Sequence, residues 1–125
     1  MTQWLAKPEL QKEVDAICPP GGHADERETA ICLAVSPGLV KMESAAPGPR
    51  LGRLKHLNAF TAIWWYADFP GHVAGDGRSA TAEKGKRLLE IHVRALAEVI
   101  RQVKDDRVAG SLEKEFFDRA DKVAE

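Results

Sequence analysis

The segment from Ser79 to Lys104 limits the fold of this chain more than any other. It holds no proline, and Leu88, Leu89, Val93, Leu96, Ile100 and Val103 recur at the steps that line one side of a helix. Ser79 is placed to cap that helix, and Asp105-Asp106 with Gly110 to break it. A helix with one apolar side has to bury it against another layer. Pro8 suits the first turn of an earlier helix, followed by Leu10, Val14 and Ile17, which stops before Cys18 because Pro19-Pro20 cannot continue it. Asp25 reads as the N-cap of a second helix carrying Ile31, Val35 and Leu39 until Ser36-Pro37 interferes. A last helix is expected from Ser111, burying Leu112, Phe116, Ala120 and Val123.

Two segments read as strands. LVKMESAA (39–46) suits a short one, and Ala59 to Tyr66, apolar and partly β-branched, suits a buried one with Trp64 and Trp65 on opposite faces. Loops rich in Pro and Gly fall at Pro47–Lys55 and at FPGHVAGDGRS. Helices alternating with buried strands predict an incomplete α/β layer architecture.

With 125 residues, 44% of them hydrophobic and 30% charged, the chain fits one globular domain. A formal net charge of −1 gives no global argument for nucleic acid or an anionic membrane as partner. The start, MTQWLAKPELQ, has no apolar core of a signal peptide, and AFTAIWWYA is about half of the ~20 residues a spanning helix needs. Cys18 and Cys32 form no CxxC pair and read as free thiols of a reducing compartment, so a cytoplasmic protein is expected.

The stretch GGHADERETA (21–30) is the leading candidate site. Asp25 and Glu28 fit a capping box, and acidic residues suit the positive end of a helix dipole. Capping leaves His23 unexplained. Just outside a helix N-terminus, the field favours neutral imidazole, the form that accepts a proton as a general base, and Glu28 is placed to orient it. As a metal clamp the pair is poor, since positions five apart on one helix diverge by about 140°. Their cooperation requires His23 to lie outside the helix.

Other candidates are weaker. GHVAGDGRSATAEKGK (71–86) matches neither GxGxxG nor the P-loop, so a tight turn is expected, with His72 and Asp76 as surface residues. Arg50, Arg53, Lys55 and His56 read as a solvated loop, and His92 as a core or interface histidine. Trp4 is a candidate pocket residue near the N-terminus.

GGHADERETAICLAVSPGLV resembles the segment of creatininase-type amidohydrolases in which a histidine and then Glu-Thr open a helix closing near Pro-x-Leu-Val. GDGRSATAEKGKRLLE is similar to the same family's downstream run, and the two blocks stand in the family's order. The resemblance spans Trp4 to Lys104 and leaves 105–125 as a helical tail. It implies a three-layer α/β/α fold, present here as a C-terminal half with a partial parallel sheet, and a ring-shaped homo-oligomer. It also implies hydrolysis of a small amide or cyclic amide by a divalent metal (zinc, manganese or iron). His23 would be the proton-transfer residue, Glu28 its partner, and Trp4 the counterpart of a substrate-gating tryptophan. The family's metal ligands lie upstream of the matching blocks, so no residue of this chain is assigned as one, and a complementary N-terminal half is an expected partner. The other expectation is a non-catalytic assembly or binding subunit that pairs with itself or another subunit through the exposed sheet edge, helix faces and the tail Leu112–Val123.

Overall fold

The computed structural model describes residues 7–123. Five helices follow in order: α1 (Pro8–Ile17), α2 (Glu26–Val35), α3 (Trp64–Asp68), α4 (Ala82–Asp105) and α5 (Val108–Val123), with single 3-10 turns at Pro37–Leu39 and Met42–Ser44. Pro8 opens α1 and Cys18 ends it in extended backbone. Asp25 caps α2 through its side chain. The cap of α4 is Thr81, whose hydroxyl accepts from Lys84 N at 3.3 Å; Ser79 instead turns its carbonyl to Lys84 Nζ.

The core forms where α4 crosses α1 and α2. Val14, Cys18, Ala30, Ala80, Leu88, Ile91 and Ala95 are buried, with Leu10, Ile17, Ile31 and Leu33 packed around them. Small residues dominate, because α2 and α4 approach closely at Gly85. A Cβ there would stand 1.9 Å from the Ala30 carbonyl oxygen, so only glycine fits. The buried stripe of α4 therefore runs through Gly85, Leu88, Ile91 and Ala95. Val93, Ile100 and Val103, expected on the inner side, face outward.

The expected α/β fold is corrected: the described residues are helical and irregular, and contain no strand. LVKMESAA takes in the end of the 3-10 segment Pro37–Leu39 and the whole of Met42–Ser44, which closes with the Ala45 N–H on the Met42 carbonyl at 3.1 Å. Ala59–Tyr66 leads into α3, with Trp64 N–H on the Thr61 carbonyl. β-propensity measures fit to a pleated, half-buried surface. With no neighbouring strand to supply hydrogen bonds, both segments satisfy their amides locally.

The last helix begins at Val108, where Asp106 accepts from the Val108 and Ala109 amides, and not at Ser111. Of the residues expected inside, Leu112, Phe116 and Ala120 are exposed, as is Phe117, while the side chain of Val123 lies outside the described ones. Among the described residues, no helix is long and apolar enough to cross a membrane.

Candidate functional site: a His–Glu pair at the N-terminus of α2

The polypeptide reaches α2 through a turn that demands a particular backbone. Gly22 lies under the loop before Ser79, where a Cβ would meet the Ala74 carbonyl oxygen at 2.3 Å. The same loop returns the Ala74 N–H to the His23 carbonyl at 3.0 Å. Ala24 then takes a left-handed conformation, φ 59°, which is costly for a residue with a Cβ. This kink places His23 outside the helix while Asp25 begins it.

The capping box is displaced by one residue. Asp25, buried at 6% exposure, accepts from the Glu28 N–H at 3.0 Å as a cap should. Glu28 does not return to the Asp25 amide. Its Oε2 accepts from the Ala24 N–H at 2.7 Å and lies 3.3 Å from His23 Nδ1. One carboxylate oxygen thus holds both the strained peptide and the imidazole. Trp65 of α3 packs against the His23 ring in a T-shaped arrangement, with centroids 5.7 Å apart. With Nδ1 against a carboxylate, Nε2 is the nitrogen left to exchange a proton.

Neighbouring charges are structural. Glu26, almost fully buried, pairs with Lys84 of α4, and that hydrogen bond raises the Lys84 pKa. Arg27 donates to the Cys18 carbonyl at 2.8 Å and to Asp15 at 2.5 Å, tying α2 to the end of α1. Burial, then the Glu26 charge, pushes the Cys18 thiol up. Ala24 and Thr29 line one end of a cavity of about 190 Å³ that extends to Met42 and Gly77.

Of the other sequence candidates, Trp4 lies outside the described residues. Asp76 is held down to about 2 by its bonds to Arg78, so its charge serves the turn. His72 is exposed, in the same loop as Gly71 and Ala74. Arg53 is less solvated than expected: it donates to the Ala67 and Tyr66 carbonyls at the end of α3, at 2.6 and 2.5 Å. His92 is partly buried, and desolvation followed by the Arg27 charge lowers its pKa. Sequence reasoning missed Trp65. Its signal was the Trp64-Trp65 pair itself, which on a helix turns by about 100° per residue and so splits the two rings between different surroundings.

A divalent metal does not fit the residues gathered here. The facing atoms of His23 and Glu28 are spent on each other, and among the described residues no three His, Cys, Asp or Glu converge as a metal would need. Glu90 and His92, two apart on α4, leave the helix about 200° around from each other and cannot share an ion.

Residues 1–100 match the model of the family described as creatininase, creatinine amidohydrolase. The chain belongs to the creatininase family. Among solved structures it is similar to a proposed creatinine amidohydrolase from Bacteroides fragilis, with 23% identity and a TM-score of 0.59 over 83% of this chain and 42% of that one. It is similar, too, to a zinc–zinc creatininase carrying a glutamate-to-glutamine substitution, and to a manganese creatininase. Each of these is 21% identical, with a TM-score of 0.55 over 83% of this chain and 41% of the other. The chain therefore spans about two fifths of the length of the creatininases it matches. No curated protein is significantly similar to it.

Proposed function

We propose that this creatininase-family chain supplies the proton-transfer corner of an amidohydrolase that opens the C–N bond of a small amide or cyclic amide. The observation that carries this reading is the 3.3 Å approach of Glu28 Oε2 to His23 Nδ1. In hydrolysis, water adds to the carbonyl carbon and the nitrogen departs with a proton. His23 Nε2 takes the proton from the attacking water and delivers it to that nitrogen. Glu28 fixes the tautomer and stabilises the imidazolium that exists between the two transfers. Trp65 packs against the imidazole, which stays more than half exposed and so open to a small amide.

The divalent metal expected of the family, like the zinc or manganese of its solved relatives, belongs in this reading to a complementary portion of the enzyme. The amide substrate and assembly with that portion, or into a homo-oligomer, belong to the same proposal. The test is reconstitution of the chain with a complementary N-terminal half and measurement of creatinine and cyclic-amide hydrolysis. His23→Ala should lower kcat by about 10²–10⁴-fold with bound metal unchanged. Full turnover in that variant, or stoichiometric tight zinc on the chain alone, would overturn the reading.

A second reading, a non-catalytic assembly subunit, is favoured by one observation: the exposed apolar surface of α5. It predicts a stable oligomer whose assembly is indifferent to a His23→Ala, Glu28→Ala double substitution and which gains no activity with any upstream partner.

A further inference from the structure

Away from the His23–Glu28 pair, the loop 50–61 folds over α3 and leaves a cavity of about 620 Å³. It shares no lining residue with that pair, and Trp64, stacked edge-on against Trp65 at 5.5 Å, forms the wall between them. We propose that this cavity binds a small organic anion, a carboxylate carried on a flat apolar body.

Three features of the lining point to such a ligand. The first is an anchored cation. Asp68 is buried at 4% exposure and accepts from Arg50 Nε at 2.5 Å, which fixes a guanidinium at the cavity wall although the arginine side chain is 71% exposed. A guanidinium held by one edge is pre-organised to offer its other N–H groups to a carboxylate. The second is a cation without a counter-charge. Lys55 lines the same cavity and makes no ion pair among the described residues. Since Arg50 is offset by Asp68, Lys55 leaves the lining one positive charge in excess, which suits a monoanion.

The third is an orphan. The Thr61 hydroxyl oxygen is buried and has no hydrogen-bond partner, and Thr61 is part of this lining. Buried hydroxyls are normally satisfied, and a ligand oxygen would satisfy this one. The apolar body has its own surface: the rings of Phe60 and Trp64 lie 6.3 Å apart and tilted at 54°, with Phe60 largely bare. A nucleic acid would need several free cations along a track. Here Arg53 is committed to the α3 carbonyls, which leaves Arg50, half offset by Asp68, and Lys55, too few for such a track.

The test uses the whole chain and three probes: benzoate, benzyl alcohol with the same body and no charge, and inorganic phosphate with charge and no body. Binding is read by calorimetry and by tryptophan fluorescence. Benzoate should saturate one to one, and each other probe should bind about tenfold more weakly, as expected for losing one charge-assisted contact or the apolar surface. Lys55→Gln and Thr61→Val should each weaken benzoate several-fold, and His23→Ala should leave it unchanged. Arg50 is left intact because its removal strands Asp68. Lys55→Gln, at an exposed position, carries the test if Thr61→Val fails to fold. Equal binding of benzyl alcohol or of phosphate, or benzoate affinity unmoved by Lys55→Gln, overturns the proposal.

Discussion

Ala24 shows how much of the candidate site depends on one backbone angle. Its φ of 59° turns the chain so that Glu28 can accept its amide and stand against His23. Ala24→Val, adding a branch at a left-handed position, should destabilise the fold by about 1–2 kcal/mol, whereas Ala24→Gly should be neutral or mildly stabilising. Urea denaturation of the two variants checks this, and equal effects would remove the strain argument. At this scale the sequence showed Asp25 as the cap but not the displaced box, because Glu28 chooses between two adjacent amides only once Gly22 and Ala74 have set the turn. The two thiols give a second prediction. Exposed Cys32 should react with a disulfide reagent at once, and Cys18, buried and with its pKa raised, only as the protein unfolds.

Helices with hard punctuation were legible as elements; segments whose fate depended on neighbours were not. Pro8, Pro19-Pro20 and Asp25 bound α1 and α2 through chemistry local to each residue. The strand reading of 39–46 and 59–66 needed partner strands, which no property of those residues could supply. Similarly, the inner face of α4 is decided by its fit to α2, so Gly85 and Ala95 lie inside while the bulkier Val93 lies outside. Gly85→Ala should force the two helices apart and cost about 2–4 kcal/mol, far beyond the gain in helix propensity that alanine brings. Thermal melts would show it. His92, also on α4, is depressed below its ordinary 6.5 by burial and by Arg27, so the folded state prefers it neutral. Its contribution is complete above pH 6.5 and is lost as pH falls from there through the folded pKa. His92→Gln should flatten the stability profile over that window; an unchanged slope would assign the effect to other groups.

In the whole molecule, a modest core supports a broad apolar exterior. Its buried members are mostly alanine and other small residues, with Leu88 the largest side chain fully enclosed, while Leu112, Phe116 and Phe117 stand in solvent on α5. Most of a helix's stability in a protein comes from packing its apolar face, and α5 leaves Leu112, Phe116 and Phe117 unpacked. Light scattering should therefore reveal concentration-dependent association, and Phe116→Asp should diminish it while leaving the thermal transition of the core in place. A monodisperse monomer at all concentrations would argue against the exposed face as an adhesive one.

Helix α4 runs 24 residues, about 36 Å, and its last buried residue is Ala95. Glu98 is still tied to Lys7, but from Ile100 onward the chain projects from the body like the shaft of an oar, bent at Asp106 where the backbone is extended and exposed. A trypsin-like protease meeting Arg107 would find a ready seam there. Cut at that point, the molecule should shed its blade and keep its folded hull, dividing the chain close to where its family likeness stops.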